Sequence, residues 1–352
     1  MKVVVLYGGL SSERKISLAS GTRVCEALRD KGHQAILVDL FLGIEPYGEA
    51  YEAHPEKLFE DLPPIEEVVF DGTPPDLNEV RASRKDQSGA LFGPKVLFLC
   101  READIVFIAL HGANGEDGRV QATFDMLDIK YTGSGYTGSA IAMDKILTKQ
   151  ILQPVNIPMA HDQVYRFVTK DDLNRIARET PIPCVVKTPC AGSSLGVYIV
   201  HEEEELMPAL EACLAISDTI LVEEYIEGGE FTCAVLCGRA LPSVEIVPKT
   251  LFYNYENKYA TGASDEFCPG RTSPENEKKM GEIALKVHDA LSLHTYSRSD
   301  FIITPDDRVI FLEVNTLPGM TGTSLVPQEA AAVGISFEDL CETILQDGLK
   351  RT

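Results

Sequence analysis

Several groups of residues in this chain have the types and spacing that chemistry requires. Near the C-terminus, Arg298-Ser-Asp300-Phe-Ile-Ile precedes a Thr304-Pro-Asp-Asp307 turn and then Val309-Ile-Phe-Leu-Glu313-Val-Asn315. The two apolar runs read as a β-hairpin. Alternate residues of a strand share a face, so Arg298 projects with Asp300, and Glu313 with Asn315. A short loop then sets Asp300 opposite or diagonal to Glu313. Two carboxylates and an amide oxygen on one face make a hard, oxygen-rich site suited to magnesium. A solvated antiparallel face would carry the same alternation. An Asn directly after the strand, with Leu317-Pro-Gly319 tightening the loop, favours the metal reading.

Three further groups admit two readings each. Lys187 ends an apolar run and precedes the loop Ala191-Gly-Ser-Ser-Leu-Gly196. Backbone N–H groups and one point charge there suit phosphates, although the spacing is not that of a P-loop and an ordinary turn beside a surface lysine is the simpler alternative. Lys145 and Lys258 stand in no distinctive local pattern and read as solvated lysines. Leu221-Val-Glu223-Glu224-Tyr-Ile226, followed by Glu230, could read an adenine edge and ribose hydroxyls, or could be a strand leaving the core into a polar turn. His111-Gly112 follows a strand, and Glu13 sits at the start of the first helix. Ligands gather at such strand ends in open α/β sheets, and the pair could hold the two ends of a zwitterion. A capping glutamate and a loop histidine are the plainer readings.

The elements that would carry these groups alternate. Lys2–Tyr7 is a β-branched run ending in Gly8-Gly9, and Ser11-Ser12 can cap the following helix. Ile16, Val24, Ala27 and Leu28 recur at helical spacing, Gly32 closes the helix, and Ala35–Leu40 is the next strand, a βαβ unit. Residues 42–71, with nine acids against one Lys, read as a mostly surface insertion. Asp104–Leu110 resumes the pattern, with helices near 119–127 and 137–152 and a turn at Asn156-Ile-Pro158. A strand ending at Lys187, a strand to Val200 and a helix opening in Glu202–Glu205 follow, the acids complementing the helix dipole. Ser273-Pro274 starts a helix whose Met280, Ile283, Ala284, Val287 and Leu291 form one apolar face. The class is α/β with several sheets.

At 352 residues the chain suggests two or three domains. Thirty-two basic against 54 acidic residues give a formal charge of −22, which argues against nucleic acid and anionic membrane as partners. No apolar run approaches a membrane span, and the start MKVVVLYGG runs directly into a folded pattern. The nine cysteines are irregularly spaced without a Cys-x-x-Cys, so a reducing cytoplasm is expected. Cys233 and Cys237 share strand parity and read as core residues.

Taken in order, these segments resemble the D-alanine–D-alanine ligases of the ATP-grasp superfamily. The resemblance rests on Gly8-Gly-Leu-Ser-Ser-Glu13-Arg14, His111-Gly…Gly115-Glu-Asp-Gly118, Tyr131-Thr-Gly-Ser-Gly135 and Met143-Asp-Lys145. It continues through Val186-Lys187…Gly192-Ser-Ser-Leu-Gly196, Glu223…Glu230-Phe-Thr232, Tyr253…Tyr255…Lys258-Tyr259, Arg298…Asp300 and Glu313-Val-Asn315-Thr-Leu-Pro-Gly319-Met-Thr…Ser324-Leu. Only 42–95 matches poorly. The resemblance implies a doubly wound parallel-sheet domain at 1–134, with the acidic insertion about 42–95. Two domains, 135–222 and 223–352, would clamp ATP between antiparallel sheets.

By position, the resemblance gives Lys145 and Lys187 to the ATP phosphates, and Glu223, Glu224, Ile226 and Glu230 to adenosine. Asp300, Glu313 and Asn315 would bind two magnesium ions, with manganese able to substitute. Glu13 would take the ammonium of the first D-alanine and His111 its carboxylate. Lys258 would reach the γ-phosphate from a closing loop near 250–270, and Tyr259 with Ser193 would shape the second subsite. Ser324 would hold the second carboxylate, and Arg298 with the Gly319 N–H the developing oxyanion. The implied product is D-alanyl-D-alanine for peptidoglycan precursors and cell-wall biogenesis, made by a cytoplasmic homodimer. A D-alanine–D-serine or D-alanine–D-lactate ligase is the alternative; D-lactate ligases lack the Lys258-Tyr259 pair. The chain departs from the family pattern at Thr323, where some members have His, and at Thr188, Cys190-Ala191 and Tyr225. Thr323 bears on the shape of the second subsite.

Overall fold

The computed structural model describes residues 1–350 apart from 67, 69–72, 74, 191–195 and 250–263. Strands β1 (Lys2–Tyr7), β2 (Gln34–Asp39) and β3 (Ile105–Ile108) form a parallel sheet in the order β2-β1-β3. Val3–Leu6 are fully buried, as the continuous apolar run of a parallel strand covered on both faces requires. The helix Arg14–Asp30 crosses over between β1 and β2, buries Ile16, Val24, Ala27 and Leu28, and ends where Gly32 takes a φ of +83°. Its start differs from expectation: the N-cap is Glu13, with no side-chain cap, and the Ser11 hydroxyl, two residues too early, accepts the Glu13 N–H at 3.2 Å and donates to the His111 carbonyl at 2.7 Å.

β4 (Asp162–Tyr165), β5 (Cys184–Lys187), β6 (Val197–Val200) and β7 (Ile220–Glu224) make an antiparallel sheet in the order β4-β7-β5-β6. The helix Glu203–Ile216 beside it opens with a capping box between Glu202 and Glu205. A second antiparallel sheet runs β11-β10-β8-β12-β13, with β9 on β8. Its strands are β8 (Gly229–Leu236), β9 (Arg239–Ala240), β10 (Val244–Pro248), β11 (Ser264–Phe267), β12 (Tyr296–Ile303) and β13 (Val309–Asn315). The helix Pro274–Ala290, capped by Ser273, packs its predicted face beneath this sheet.

Three expectations need correction. The helix near 137–152 is two, Tyr136–Met143 and Lys145–Leu152, because Asp144 leaves the helical region and accepts the N–H groups of Ile146 and Leu147. Such a cap is worth about 1 kcal/mol, enough to restart the helix with Lys145 as its first residue. The stretch after residue 42 is not merely surface: Leu58 and Phe59 are fully buried in the first core. Cys237 is exposed, with a φ of 47°, because β8 ends at Leu236 and turns; Cys233 is buried as expected.

The cores also cross the sequence divisions. Ala142, Leu152 and Ile157 pack with Phe231, Phe301 and Phe311 under the C-terminal sheet. Leu340, Cys341, Ile344 and Leu345 of the helix Phe337–Leu349 return to the first core. The 222/223 division falls inside β7.

Candidate active site

One cavity of about 280 Å³ opens between the three sheets. Glu13, His111, Lys145, Lys187, Glu223, Glu224, Ile226, Glu230, Arg298, Asp300, Glu313, Asn315, Gly319 and Ser324 all line it. Ser193, Lys258 and Tyr259 lie outside the described residues.

The hairpin pairs Asp300 directly with Glu313 and Arg298 with Asn315. Arg298 grips Asp300 with two bonds, Nε to Oδ1 at 2.8 Å and Nη2 to Oδ2 at 2.9 Å. Asn315 Nδ2 donates to Asp300 Oδ2 at 3.2 Å, which leaves its amide oxygen as a donor atom for a ligand. Lys145, at the first turn of its helix, reaches Glu313 Oε2 at 3.4 Å. Among the described residues no cluster of three or more His, Cys, Asp or Glu side chains forms a metal cage. Magnesium does not need one, since it is commonly held by one or two carboxylates together with phosphate oxygens and water. Two carboxylates and an amide oxygen on one face fit that ion.

On the central sheet, Glu223 is 6% exposed and binds two lysines, one per oxygen: Lys149 at Oε1 and Lys187 at Oε2, both at 2.6 Å. Burial alone would raise the Glu223 carboxyl, but Lys187 and Lys149 hold it below the usual range. Burial likewise opposes the charge on Lys187, and Glu223 more than offsets it. Glu224 turns outward, its Oε1 accepting the His161 N–H at 2.9 Å.

On the first sheet, Arg14 and Asp39 form a buried pair at 2.5 Å, and Asp39 Oδ1 accepts the N–H groups of Phe41 and Leu42. Arg14 also donates to the Gly9 carbonyl at 2.6 Å, so the pair fixes the turn that presents Glu13. Gly112, at a φ of +69°, lies against the Glu13 carboxylate where any Cβ would collide with it.

His111 is buried, and desolvation, outweighing the nearby Glu13, lowers its pKa. Nδ1 bonds the Leu317 carbonyl at 2.8 Å, an acceptor only, so Nδ1 carries the proton of the neutral ring. Nε2 then accepts from the Ser20 hydroxyl at 2.9 Å, and Ser20 Oγ accepts the Met320 N–H at 3.2 Å. Both ring nitrogens are thus engaged within the protein, so contact with a substrate carboxylate requires both release of the Ser20 hydroxyl and a proton on Nε2.

Glu116, which sequence reasoning did not single out, completes a clasp on the loop after β13. Its oxygens accept the N–H of Gly112 at 2.8 Å and of Leu317 at 3.0 Å. Burial, then the charge of Glu13, pushes its carboxyl up to about 8. Leu317 is therefore held at its N–H by Glu116 and at its C=O by His111, two residues from both Asn315 and Gly319. A Cβ on Gly319 would stand 2.7 Å from Ser324 Oγ, so glycine is what lets that turn close. Ser324 Oγ accepts the Thr321 N–H at 2.9 Å. Gln328 ties Glu266, a further cavity carboxylate, to the Thr323 carbonyl.

No local pattern marks Glu116, Ser20 or Glu266. Lys149 had a signal: it follows Lys145 by four residues, on the same helix face.

Comparison with known proteins bears on the family and the fold. Residues 2–134 match the family model described as D-ala D-ala ligase N-terminus, and 151–346 the one described as D-ala D-ala ligase C-terminus. The D-alanine--D-alanine ligase of Pediococcus pentosaceus is 43% identical over 353 residues, covering 98% of this chain and 97% of that protein. That of Halalkalibacterium halodurans is 40% identical, with both chains covered in full. Among solved structures, Bacillus anthracis D-alanine--D-alanine ligase complexed with ATP is similar at a TM-score of 0.71 and 26% identity, covering 99% and 98% of the two chains. The VanG D-Ala:D-Ser ligase of Enterococcus faecalis is similar at 0.73 and 27%, covering 99% of each. The mixed α/β fold, one parallel sheet and two antiparallel ones, is the ATP-grasp fold of these ligases. By full-length matches to its N- and C-terminal families and to its named members, the chain belongs to the D-alanine–D-alanine ligase family.

Proposed function

We propose that the chain joins two D-alanine molecules at the expense of ATP, through a D-alanyl phosphate, for peptidoglycan precursor synthesis. The observation that carries this reading is the single cavity in which oxygen ligands, lysines and a bidentate arginine converge from three sheets. Lys145 and Lys187 take the phosphates, with Lys258 at the γ-phosphate. Glu223 receives the adenine amino group, Glu224 and Ile226 flank the base, and Glu230 takes the ribose. Asp300, Glu313 and Asn315 hold two magnesium ions, for which manganese can substitute. Magnesium bound there would neutralise charge on the phosphoryl group in flight.

Carboxylates are poor electrophiles and need activation before an amine attacks. Glu13 anchors the ammonium of the first D-alanine. His111 meets its carboxylate only by releasing Ser20 and taking a proton at Nε2, and otherwise serves to pin Leu317. The carboxylate oxygen attacks the γ-phosphorus, giving D-alanyl phosphate and ADP. The second D-alanine, held by Ser324 and shaped by Tyr259, Ser193 and Thr323, attacks the carbonyl carbon with its free amine. Arg298 and the Gly319 N–H face the developing oxyanion. Phosphate then leaves with the C–O bonding pair. Three working domains, the second running to the end of β7 at Glu224 rather than to 222, act in a cytoplasmic homodimer. Among the described residues no helix is long and apolar enough to cross a membrane.

A D-serine acceptor is the second reading, supported by the likeness to the VanG ligase and by Thr323 at the second subsite. Phosphate release with D-alanine alone, then with D-serine or D-lactate added, and product mass decide between them. Release with D-alanine alone is expected. Its absence overturns the main reading.

A further inference from the structure

Lys149 has no place in the roles above, yet its ammonium is held at three points. Its ammonium reaches Glu223 Oε1 at 2.6 Å, the Ala160 carbonyl at 2.8 Å and Asp162 Oδ1 at 3.0 Å. An ammonium has three protons to donate; Glu223 and Ala160 accept two as hydrogen bonds, and Asp162 adds an ion pair. Lys149 sits behind the cavity wall, while Glu223 lines the cavity. Lys187 shares the Glu223 carboxylate from its other oxygen, at 2.6 Å.

These contacts differ in what ligand binding does to them. A lysine committed to phosphates must loosen its hold on Glu223. A carboxylate 6% exposed and left without a cation would be driven to its neutral form. A protonated Glu223 would also lose an acceptor lone pair. Lys149 prevents both outcomes, because Ala160 and Asp162 hold its ammonium on Glu223 from behind the cavity. Its helix is anchored at the other end by Lys145 on Glu313 of the C-terminal sheet.

We infer that Lys149 is a positioning residue for base selection: it keeps Glu223 ionised and aimed at the purine 6-amino group while Lys187 turns to phosphate. The inference rests on the assignment of Glu223 to that amino group. It predicts a dependence on one exocyclic group of the nucleotide, which general scaffolding would not produce.

The test compares ATP with purine riboside triphosphate, which lacks the 6-amino group, in D-alanine-dependent phosphate release. A hydrogen bond to a charged group makes the wild type favour ATP in KM by about tenfold or more. Lys149→Met should raise KM for ATP about tenfold, leave KM for the deamino nucleotide unchanged and hold kcat within about twofold. Lys149→Arg should restore most of the preference. An equal rise in KM for both nucleotides would make Lys149 a scaffold residue and overturn the inference. Glu223→Gln separates the two layers of the argument. If its nucleotide preference equals that of the wild type, the base assignment fails, and the inference with it. If Glu223→Gln loses the preference while Lys149→Met keeps it, the assignment stands and the Lys149 inference falls. Thermal unfolding checks each variant, and Lys149→Gln carries the same comparison should Lys149→Met not fold.

Discussion

Replacing Glu116 by Gln tests whether the first domain shapes the loop that faces the reacting carbonyl. Both carboxyl oxygens of Glu116 accept a buried N–H, from Gly112 at 2.8 Å and Leu317 at 3.0 Å. An amide has one oxygen, so whichever way it turns, its NH₂ group meets an N–H. One buried bond is lost and one donor orphaned, at about 1–3 kcal/mol. If that cost falls wholly on the transition state, kcat/KM drops about 5- to 160-fold at 1.36 kcal/mol per tenfold. The loss should appear mainly in kcat, because in the proposed reaction the Gly319 N–H meets negative charge only as the oxyanion forms. Initial rates of phosphate release at saturating ATP and magnesium, taken above pH 8 where Glu116 is a carboxylate, with urea denaturation alongside, read both quantities. A variant within twofold of wild type in kcat/KM and equally stable would refute the clasp. The pH dependence has a sign as well. Burial and Glu13 raise the folded pKa of Glu116 from 4.5 to about 8, so its stabilising contribution is complete below 4.5 and fades as pH rises through 8. The wild type should lose stability relative to Glu116→Gln across that window.

Two other outcomes follow from the geometry. Arg298→Ala should lower kcat by about 100- to 1000-fold, as for removal of one oxyanion donor, while KM for ATP changes little; a raised KM with kcat preserved would count against that role. His288, buried with Nδ1 on the Ser297 hydroxyl at 2.8 Å, is lowered by desolvation from 6.5 to about 4. Its folded pKa lies below its unfolded one, so stability holds above 6.5 and falls as pH drops toward 4. Between pH 7 and 5 that amounts to about 2 kcal/mol. Denaturation curves of His288→Leu should lack this slope, and an unchanged slope would assign it to other groups.

What the sequence made legible was local. A period of two and a short loop left Asp300 opposite or diagonal to Glu313, and the register makes it opposite. Ser273-Pro274 and Gly32 marked helix ends because capping chemistry lies within a turn of the residue that supplies it. Asp144 was a missed local signal, an N-cap hidden inside an otherwise helical run. Leu58 and Phe59 were lost in an acidic stretch without periodicity, although burial needs only two well-placed side chains. The interdomain contacts were beyond reach: Glu116 meets Leu317 across 201 positions, and Ser20 meets Met320 across 300. Such partners are set by tertiary packing, and a buried carboxylate or serine looks no different in sequence from a solvated one.

The described lysines and the arginine proposed for anions already rest against carboxylates: Arg298 on Asp300, Lys145 on Glu313, Lys187 on Glu223. Loading the site is therefore an exchange of partners rather than the filling of a positive hole. A ligand bringing only negative charge would draw the cations away from Asp300 and Glu313, while Glu223 would keep Lys149. A ligand bringing both signs can satisfy the two halves of each pair at once. Magnesium nucleotide and an amino-acid zwitterion are both of that kind. Affinity for the magnesium nucleotide should accordingly vary weakly with ionic strength, unlike that of an exposed basic phosphate site. In a chain of charge −22, recognition by swapping ion pairs admits ATP without a surface that would also attract every other polyanion in the cell.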